Sequence, residues 1–263
     1  IAVDTATGKE KWSAEAGPLY TNGWGDGPRC TPTVDGEHLY AISGRGNLVC
    51  LKAENGKKVW ETGLVENLGG KLQSWGYTEQ GTLAALDKKT GKVKWQTSDW
   101  TDNAQYSSPI CVSLNGARQV IQLTMQTLAG VDASNGKVLW RTEFPGKTAV
   151  IPTPIFKDGQ VFVAAGYGVG CKSVKIGPNN KVEELYSNTD MVNHHGGVIL
   201  VGDHLYGYSD KGGWTCMELK TGEVVWAENK AFKKGAIHCA DGMLYLLEEG
   251  SGAVALIEAS PKG

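Results

Sequence analysis

One short motif repeats along the whole chain, and it limits the folds that the chain can adopt. In each copy a Gly stands four residues before a Trp, as in KAENGKKVW and DKKTGKVKW. Five full copies end at Trp12, Trp60, Trp95, Trp140 and Trp226, and a weaker copy, KIGPNNKVEELY, ends at Tyr186. The six anchors are separated by 48, 35, 45, 46 and 40 residues. A period of about 40 to 50 residues is typical of the blades of a β-propeller.

The local chemistry of each repeat predicts four antiparallel strands. Asn-Gly and Thr-Gly before the aromatic anchor are hairpin turns, because Gly accepts the positive φ that other residues resist. Upstream, a second pair of β-rich segments is joined by Asp-Gly or Gly-Asp, as in TPTVDGEHLYAIS and GGVILVGDHLYGYS. No segment has helical periodicity over ten or more residues. We therefore predict an all-β chain, a β-propeller of four-stranded antiparallel blades.

The spacing of the repeats also predicts where the pattern is incomplete. We expect residues 1–263 to form a single β-propeller domain. The 35-residue repeat that ends at Trp95 is too short for four strands, so we expect strands to be missing near 80–81. We expect further strands before residue 1 and after residue 263, because both ends fall at third-strand positions and open edge strands invite aggregation.

The aromatic anchors are predicted to be structural. A Trp at the end of each repeat offers a large apolar area that would join one blade to the next. We assign this role to the same six residues: Trp12, Trp60, Trp95, Trp140, Tyr186 and Trp226.

Composition excludes several classes of function. The formal net charge is −2, whereas a dedicated nucleic-acid binder usually carries a strongly basic face. No apolar stretch approaches the roughly 18 residues of a membrane span. The six cysteines are spaced too far apart for a local zinc site. We therefore expect no nucleic-acid partner, no membrane span and no bound metal, and a monomeric protein.

Polar and aromatic residues recur where the first strand of each blade should begin, and these positions should converge on one mouth of the channel. The candidate ligand-binding residues are Arg29, Trp75, Tyr77, Tyr106, Asn193, His194 and His195. Aromatic rings with a few convergent polar groups are typical of a ligand or peptide pocket. Arg29 could clamp a carboxylate or phosphate, or pair with Asp26. Neighbouring residues on a strand point to opposite faces, so at most one of the two histidines should face the channel.

The unit D-x-x-T-G-K-x-x-W resembles the repeat of the pyrroloquinoline-quinone (PQQ)-like β-propeller family, over nearly the whole chain. That family includes quinoprotein alcohol dehydrogenases and the β-barrel assembly lipoprotein, and the sequence looks most like its secreted repeat proteins of unknown function. The resemblance implies seven or eight blades in the complete protein, with eight favoured. It also implies a periplasmic or cell-surface location.

The sequence resembles the family in its repeat but does not show the motifs of the enzymatic site. Quinoprotein dehydrogenases of this family hold the quinone against adjacent cysteines and use a calcium ion and a catalytic Asp. This chain has no Cys-Cys dipeptide, and no stretch matches the calcium motif. We assign no catalytic residue and expect no cofactor.

The predicted function is a non-catalytic binding or scaffold propeller, which would hold a protein partner, small ligand or glycan at the funnel mouth or the blade edges. The alternative is a PQQ-dependent oxidoreductase with calcium, acting on alcohols or sugars.

Overall fold

A computed structural model describes residues 1–21, 23, 25–27, 30–72, 78–79 and 82–263. The chain divides into two compact units, Ile1–Ala104 and Gln105–Gly263. Strands dominate both units, and the predicted all-β class with four-stranded antiparallel blades is confirmed.

The first unit contains one four-stranded sheet and three strand pairs, β1–β2, β7–β8 and β9–β10. Its four-stranded sheet runs in the order β3-β4-β5-β6, with every neighbouring pair antiparallel. The strands are β1 Ala2–Val3, β2 Glu10–Trp12, β3 Thr33–Asp35, β4 His38–Ile42, β5 Asn47–Lys52, β6 Lys58–Gly63, β7 Lys71–Leu72, β8 Thr78–Glu79, β9 Ala84–Leu86 and β10 Val93–Gln96. One short helix, α1 Leu64–Leu68, follows β6.

Among the described residues, the repeat with the 35-residue spacing builds no four-stranded sheet. Its strands form the separate pairs β7–β8 and β9–β10. Residues 80 and 81, where we expected the missing strands, lie outside the described residues.

The second unit contains three four-stranded sheets and a three-stranded one. The orders are β11-β12-β13-β14, β15-β16-β17-β18, β19-β20-β21-β22 and β23-β24-β25. The strands are β11 Ile110–Leu114, β12 Ala117–Leu123, β13 Thr127–Asp132, β14 Val138–Glu143, β15 Ile155–Lys157, β16 Gln160–Ala165, β17 Gly170–Ile176, β18 Val182–Asn188, β19 Val198–Val201, β20 His204–Ser209, β21 Gly213–Glu218, β22 Val224–Glu228, β23 Gly235–Ala240, β24 Met243–Glu248 and β25 Val254–Glu258. A 3-10 turn, Pro178–Asn180, precedes β18.

The hairpin turn before each Trp anchor has the backbone that its sequence predicts. Gly8, Gly56, Gly91, Gly136 and Gly222 all have φ between +67° and +78°. A Cβ atom is strained in this left-handed region, so Gly is the residue that closes the turn at least cost.

Three of the Trp anchors reach out of their own sheet into the following repeat. The indole Nε1 of Trp12 donates to Ala53 O at 3.1 Å, and that of Trp60 donates to Lys88 O at 3.0 Å. Trp226 Nε1 donates to Ser260 O at 3.1 Å, beyond β25. Each acceptor therefore belongs to the end of a third strand, or the turn after it, in the next repeat.

The motif Gly of a repeat provides the space for the aromatic anchor of the repeat before it. A Cβ atom on Gly56 would lie 2.5 Å from Trp12 Cε3, and one on Gly91 would lie 2.6 Å from Trp60 Cε3. A Cβ atom on Gly222 would likewise meet the ring of Tyr186. The Tyr186 hydroxyl donates to Leu219 O at 2.9 Å. The Gly therefore serves both the turn and the packing.

Trp140 makes a different contact. It lies across from Gly130 on the neighbouring strand, and its Nε1 donates to the buried Gln119 Oε1 at 2.8 Å. Gln119 Nε2 in turn donates to Asn180 Oδ1 at 3.0 Å, in the turn of the weaker repeat copy. A polar network links the two sheets here, whereas Trp12, Trp60, Tyr186 and Trp226 each donate a direct bond to the next repeat.

The buried apolar side chains of the second unit form three clusters. One holds Ile121, Leu128 and Val161, a second Phe162 and Leu205, and a third Tyr206, Trp214 and Leu244. Each cluster combines residues from two neighbouring sheets, so apolar burial holds the sheets face to face.

The antiparallel order of each sheet gives the second unit two ends. Turns between first and second strands and between third and fourth strands lie at one end, which we call the turn end: 115–116, 158–159, 202–203, 241–242, 133–137, 177–181 and 219–223. The other, which we call the loop end, carries the connections between sheets (144–154, 189–197 and 229–234) and the turns between second and third strands (124–126, 166–169, 210–212 and 249–253).

Candidate functional site

Two neighbouring histidines occupy the centre of a cluster at the loop end. His194 and His195 lie in the connection 189–197 before β19, and their ring centroids are 4.8 Å apart. The expectation that they point to opposite faces of a strand is wrong, because they are not in a strand. Gly196 and Gly197 follow with φ of +89° and +87°, and this left-handed backbone separates the histidines from β19.

His194 is held by a lysine from the next connection along the chain. Lys234 Nζ lies 2.9 Å from His194 Nδ1 and 2.8 Å from Asp210 Oδ1. Burial lowers the pKa of His194, and the positive charge of Lys234 lowers that pKa further. His194 is therefore neutral at pH 7, accepts a hydrogen bond from Lys234 at Nδ1 and keeps its proton on Nε2.

His195 makes its own pair with a carboxylate. Its Nε2 lies 2.8 Å from Glu249 Oε2, in the turn between β24 and β25. The His195 side chain remains 35% exposed and that of Glu249 51%. The pair is therefore open to solvent and accessible to a ligand.

Tyr167 covers the other side of His194. The two ring centroids are 4.5 Å apart and meet edge to face. Tyr167 has φ of +57° and is 40% exposed. A bulky residue in this region of backbone space is strained, and such strain clusters at functional sites. Close packing holds the turn in place, because a Cβ atom on Gly166 would lie 2.5 Å from His194 Cα.

Asn193 is fully buried beside the histidines. Its Nδ2 donates to Gly197 O at 3.0 Å and to Tyr208 O at 2.9 Å. Its Oδ1 is buried and has no hydrogen-bond partner among the described residues. The bond to Tyr208 ties the histidine connection to β20 and the bond to Gly197 closes the connection on itself, so Asn193 positions the loop.

Tyr106 lies in residues 105–109, the part of the connection before β11 that belongs to the second unit. Tyr106 is 45% exposed, and its backbone N–H donates to Val150 O at 3.1 Å. Gln105 Oε1 accepts a bond from Val150 N at 3.0 Å, so this segment pairs with the connection 144–154. Tyr106 therefore lies at the loop end, presented by its own segment.

The remaining predicted site residues, Arg29, Trp75 and Tyr77, lie outside the described residues. In the part of the chain that the structure describes, no three His, Cys, Asp or Glu side chains converge as metal ligands.

The sequence analysis missed four members of the cluster: Tyr167, Asp210, Lys234 and Glu249. All four lie in turns or connections, where no periodic pattern marks a functional position. The run Gly-Tyr-Gly at 166–168 was a usable signal, because an aromatic residue between two glycines in a tight turn stands out.

The repeat, the Gly-closed hairpins and the four-stranded antiparallel sheets together define a β-propeller of the PQQ-like repeat class. A family profile described as outer membrane protein assembly factor BamB matches residues 1–228. The chain belongs to this family.

Solved structures agree with this fold at low sequence identity. BamB from Moraxella catarrhalis is similar, with a TM-score of 0.62 and 16% identity, over 85% of this chain and 68% of that one. The quinohemoprotein alcohol dehydrogenase ADHIIG from Pseudomonas putida HK5 has a TM-score of 0.58 and 13% identity, over 82% of this chain and 50% of that one. The chain therefore spans about half to two thirds of these proteins' length, and the likeness concerns the fold.

A comparison with curated proteins found no match. Within the described ranges, no helix is long and apolar enough to cross a membrane.

Proposed function

We propose that this chain is part of an exported, non-catalytic propeller that holds a protein partner. The observation that carries the proposal is membership of the BamB family over residues 1–228, whose description names a factor in outer membrane protein assembly. An assembly factor of the outer membrane works in the cell envelope, so we place this protein in the periplasm or at the cell surface.

We propose that the partner binds at the loop end. This end presents exposed aromatic rings beside hydrogen-bonding groups, and interfaces are enriched in such aromatic residues. Tyr106, His194 and His195 are the proposed contacts among the described residues, with Asn193 as a positioning residue. Arg29, Trp75 and Tyr77 remain predicted contacts.

We propose that binding needs no redox cofactor. Titration of the protein with PQQ and calcium tests this, because nine Trp residues make a bound quinone visible as fluorescence quenching. We expect no saturable quenching. Saturable quenching that is lost in Arg29→Ala would favour the PQQ-dependent oxidoreductase instead.

The partner itself is tested by crosslinking in the envelope of cells that produce the tagged protein. We expect a crosslinked protein that is reduced at least about fivefold by Tyr106→Ala with His195→Ala, since aromatic and charged contacts often cost more than 1 kcal/mol on truncation. The matched control is Tyr245→Ala with His238→Ala, which removes an exposed Tyr and an exposed His from β24 and β23. Equal loss in both variants would contradict the assignment to the loop end. Absence of any crosslinked protein would contradict the proposed function.

A further inference from the structure

The loop segments at the loop end of the second unit carry more lysines than carboxylates. They contain five lysines and three carboxylates. The turns of the turn end carry three lysines and four carboxylates. The exposed segments of the two ends therefore differ in sign, and the further carboxylates of the loop end, Glu143, Glu228 and Glu248, are the last residues of strands.

Each carboxylate of these loop segments already has a partner. Asp190 Oδ1 lies 2.9 Å from Lys211 Nζ. Asp210 is paired with Lys234, and Glu249 with His195. These pairs leave the remaining lysines of the loop end without a carboxylate from the same segments.

Three of those lysines, Lys147, Lys230 and Lys233, have no side-chain hydrogen bond or ion pair among the described residues, and all three are exposed. Lys147 and Lys233 are the two that lie next to members of the His194 cluster. Lys147 lies beside the Tyr167 turn, because a Cβ atom on Gly168 would be 3.8 Å from Lys147 Nζ. Lys233 precedes Lys234, and its carbonyl accepts a bond from Trp214 Nε1 at 3.0 Å, which fixes its backbone.

The contacts connect these groups into one row. Lys147 borders the turn of Tyr167, Tyr167 packs on His194, and His194 binds Lys234, which follows Lys233. Lys147 offers a free ammonium group at one end of the row, and Lys233, whose ammonium group is also free, is the sequence neighbour of Lys234 at the other. Between them lie an exposed aromatic ring and a neutral histidine whose Nε2–H can donate.

We propose that this row binds an acidic segment of a protein partner. The inference rests on the proposed function and names the chemistry of the partner at that site. Carboxylates of the segment would pair with Lys147 and Lys233, and its backbone or side chains would lie against Tyr167 and His194. Complementary charge of this kind steers association and selects the partner.

The test measures binding of a fluorescein-labelled oligoglutamate peptide by fluorescence anisotropy. We expect saturable binding to the unaltered protein that weakens as salt rises. Lys147→Glu with Lys233→Glu should weaken it at least about fivefold, since exposed ion pairs each contribute a few tenths to about 1 kcal/mol and reversal adds repulsion.

The matched control is Lys137→Glu with Lys220→Glu, which makes the same charge change at the turn end. Equal weakening in both double variants would overturn the proposal, because net charge alone would then explain binding. Anionic lipid vesicles or duplex DNA binding more tightly than oligoglutamate, with the same dependence on Lys147 and Lys233, would also overturn it.

A second variant, Tyr167→Ala, tests the row independently of charge. We expect weaker oligoglutamate binding with an unchanged salt dependence, and unchanged affinity would remove Tyr167 from the site. If the Lys147 and Lys233 variant retains the protein crosslinked in the envelope, this inference fails while the proposed function stands.

Discussion

At the scale of single residues, the motif Gly closes the turn of its repeat, and Gly56, Gly91 and Gly222 also make room for the aromatic anchor of the preceding repeat. Gly8 and Gly56 occupy the same motif position and have φ of +67° and +72°. A Cβ atom on Gly56 would meet Trp12, whereas one on Gly8 would meet nothing within 4 Å. The pair therefore separates the cost of the turn from the cost of the aromatic contact.

We expect Gly56→Ala to lower the free energy of unfolding more than Gly8→Ala. Both substitutions incur about 1 to 2 kcal/mol for a Cβ in the left-handed region. Gly56→Ala adds about 1 to 3 kcal/mol because the Trp12 ring must move. Urea denaturation followed by circular dichroism measures the difference. Equal losses would refute the predicted anchor role of Trp12.

His194 connects the protonation of one residue to the stability of the fold. Its folded-state pKa is lowered from an ordinary value of 6.5, so the unfolded chain takes up a proton at a higher pH than the folded chain. Stability should therefore fall as the pH drops through about 6.5 and level off below the folded-state pKa. Lys234, His195, Asp210 and Glu249 are the charged or titratable groups that act on it.

We expect His194→Gln to reduce this loss of stability on acidification. Gln keeps a hydrogen-bonding side chain near Lys234 but does not titrate. The measurement is Tm as a function of pH between about 5 and 8. His238→Gln, which replaces an exposed histidine on β23, is the matched control. A His194→Gln profile that matches the unaltered protein would contradict the prediction.

At the scale of strands and turns, the weakest copy of the motif forms the most unusual junction. The segment KIGPNNKVEELY has Asn179 and Asn180 where other repeats have a turn Gly, and both take positive φ. Asn tolerates this conformation through local hydrogen bonds. The Asn180 side chain accepts a hydrogen bond from Gln119, so the polar network replaces the direct bond from a Trp to the next repeat.

We expect Gln119→Leu to cost about 1 to 3 kcal/mol of stability, because the buried Trp140 N–H loses its acceptor. Adding Trp140→Phe should recover part of this loss, since that donor is then absent. A double-mutant cycle measured by urea denaturation should give a coupling of about 0.5 to 3 kcal/mol. Additive effects would show that the bond contributes nothing specific.

At the scale of the whole molecule, burial differs between sheets of different size. The three apolar clusters all lie in the second unit, around the complete sheets. In the first unit, β1–β2, β7–β8 and β9–β10 are two-stranded. A two-stranded pair buries little apolar surface and is marginally stable without further packing.

We expect amide hydrogen exchange to follow this difference. The middle strands β16, β17, β20 and β21 should exchange slowest, and the pairs β1–β2 and β9–β10 fastest, because local opening costs least where few apolar contacts are lost. Exchange read by mass spectrometry on peptides from each strand provides the comparison. Uniform protection across both units would contradict it.

The repeats could be derived from the sequence because their signals are local. A Gly at positive φ closes each of these hairpins independently of the rest of the fold, and the turn sets the register of the two strands that it joins. Cys50, Ala85 and Cys216 hold equivalent third-strand positions, and each lies across from the Trp of its own repeat. The short repeat before Trp95 was also visible as a defect in spacing.

By itself, the sequence determined the all-β class, the hairpins and the family. The candidate site was decided only by the tertiary structure. Lys234 follows His194 by 40 residues, and Tyr167 lies in another sheet's turn, yet both contact the same imidazole. Which connections meet depends on how neighbouring sheets pack. The residues of these connections lack the strand periodicity from which the strands could be predicted.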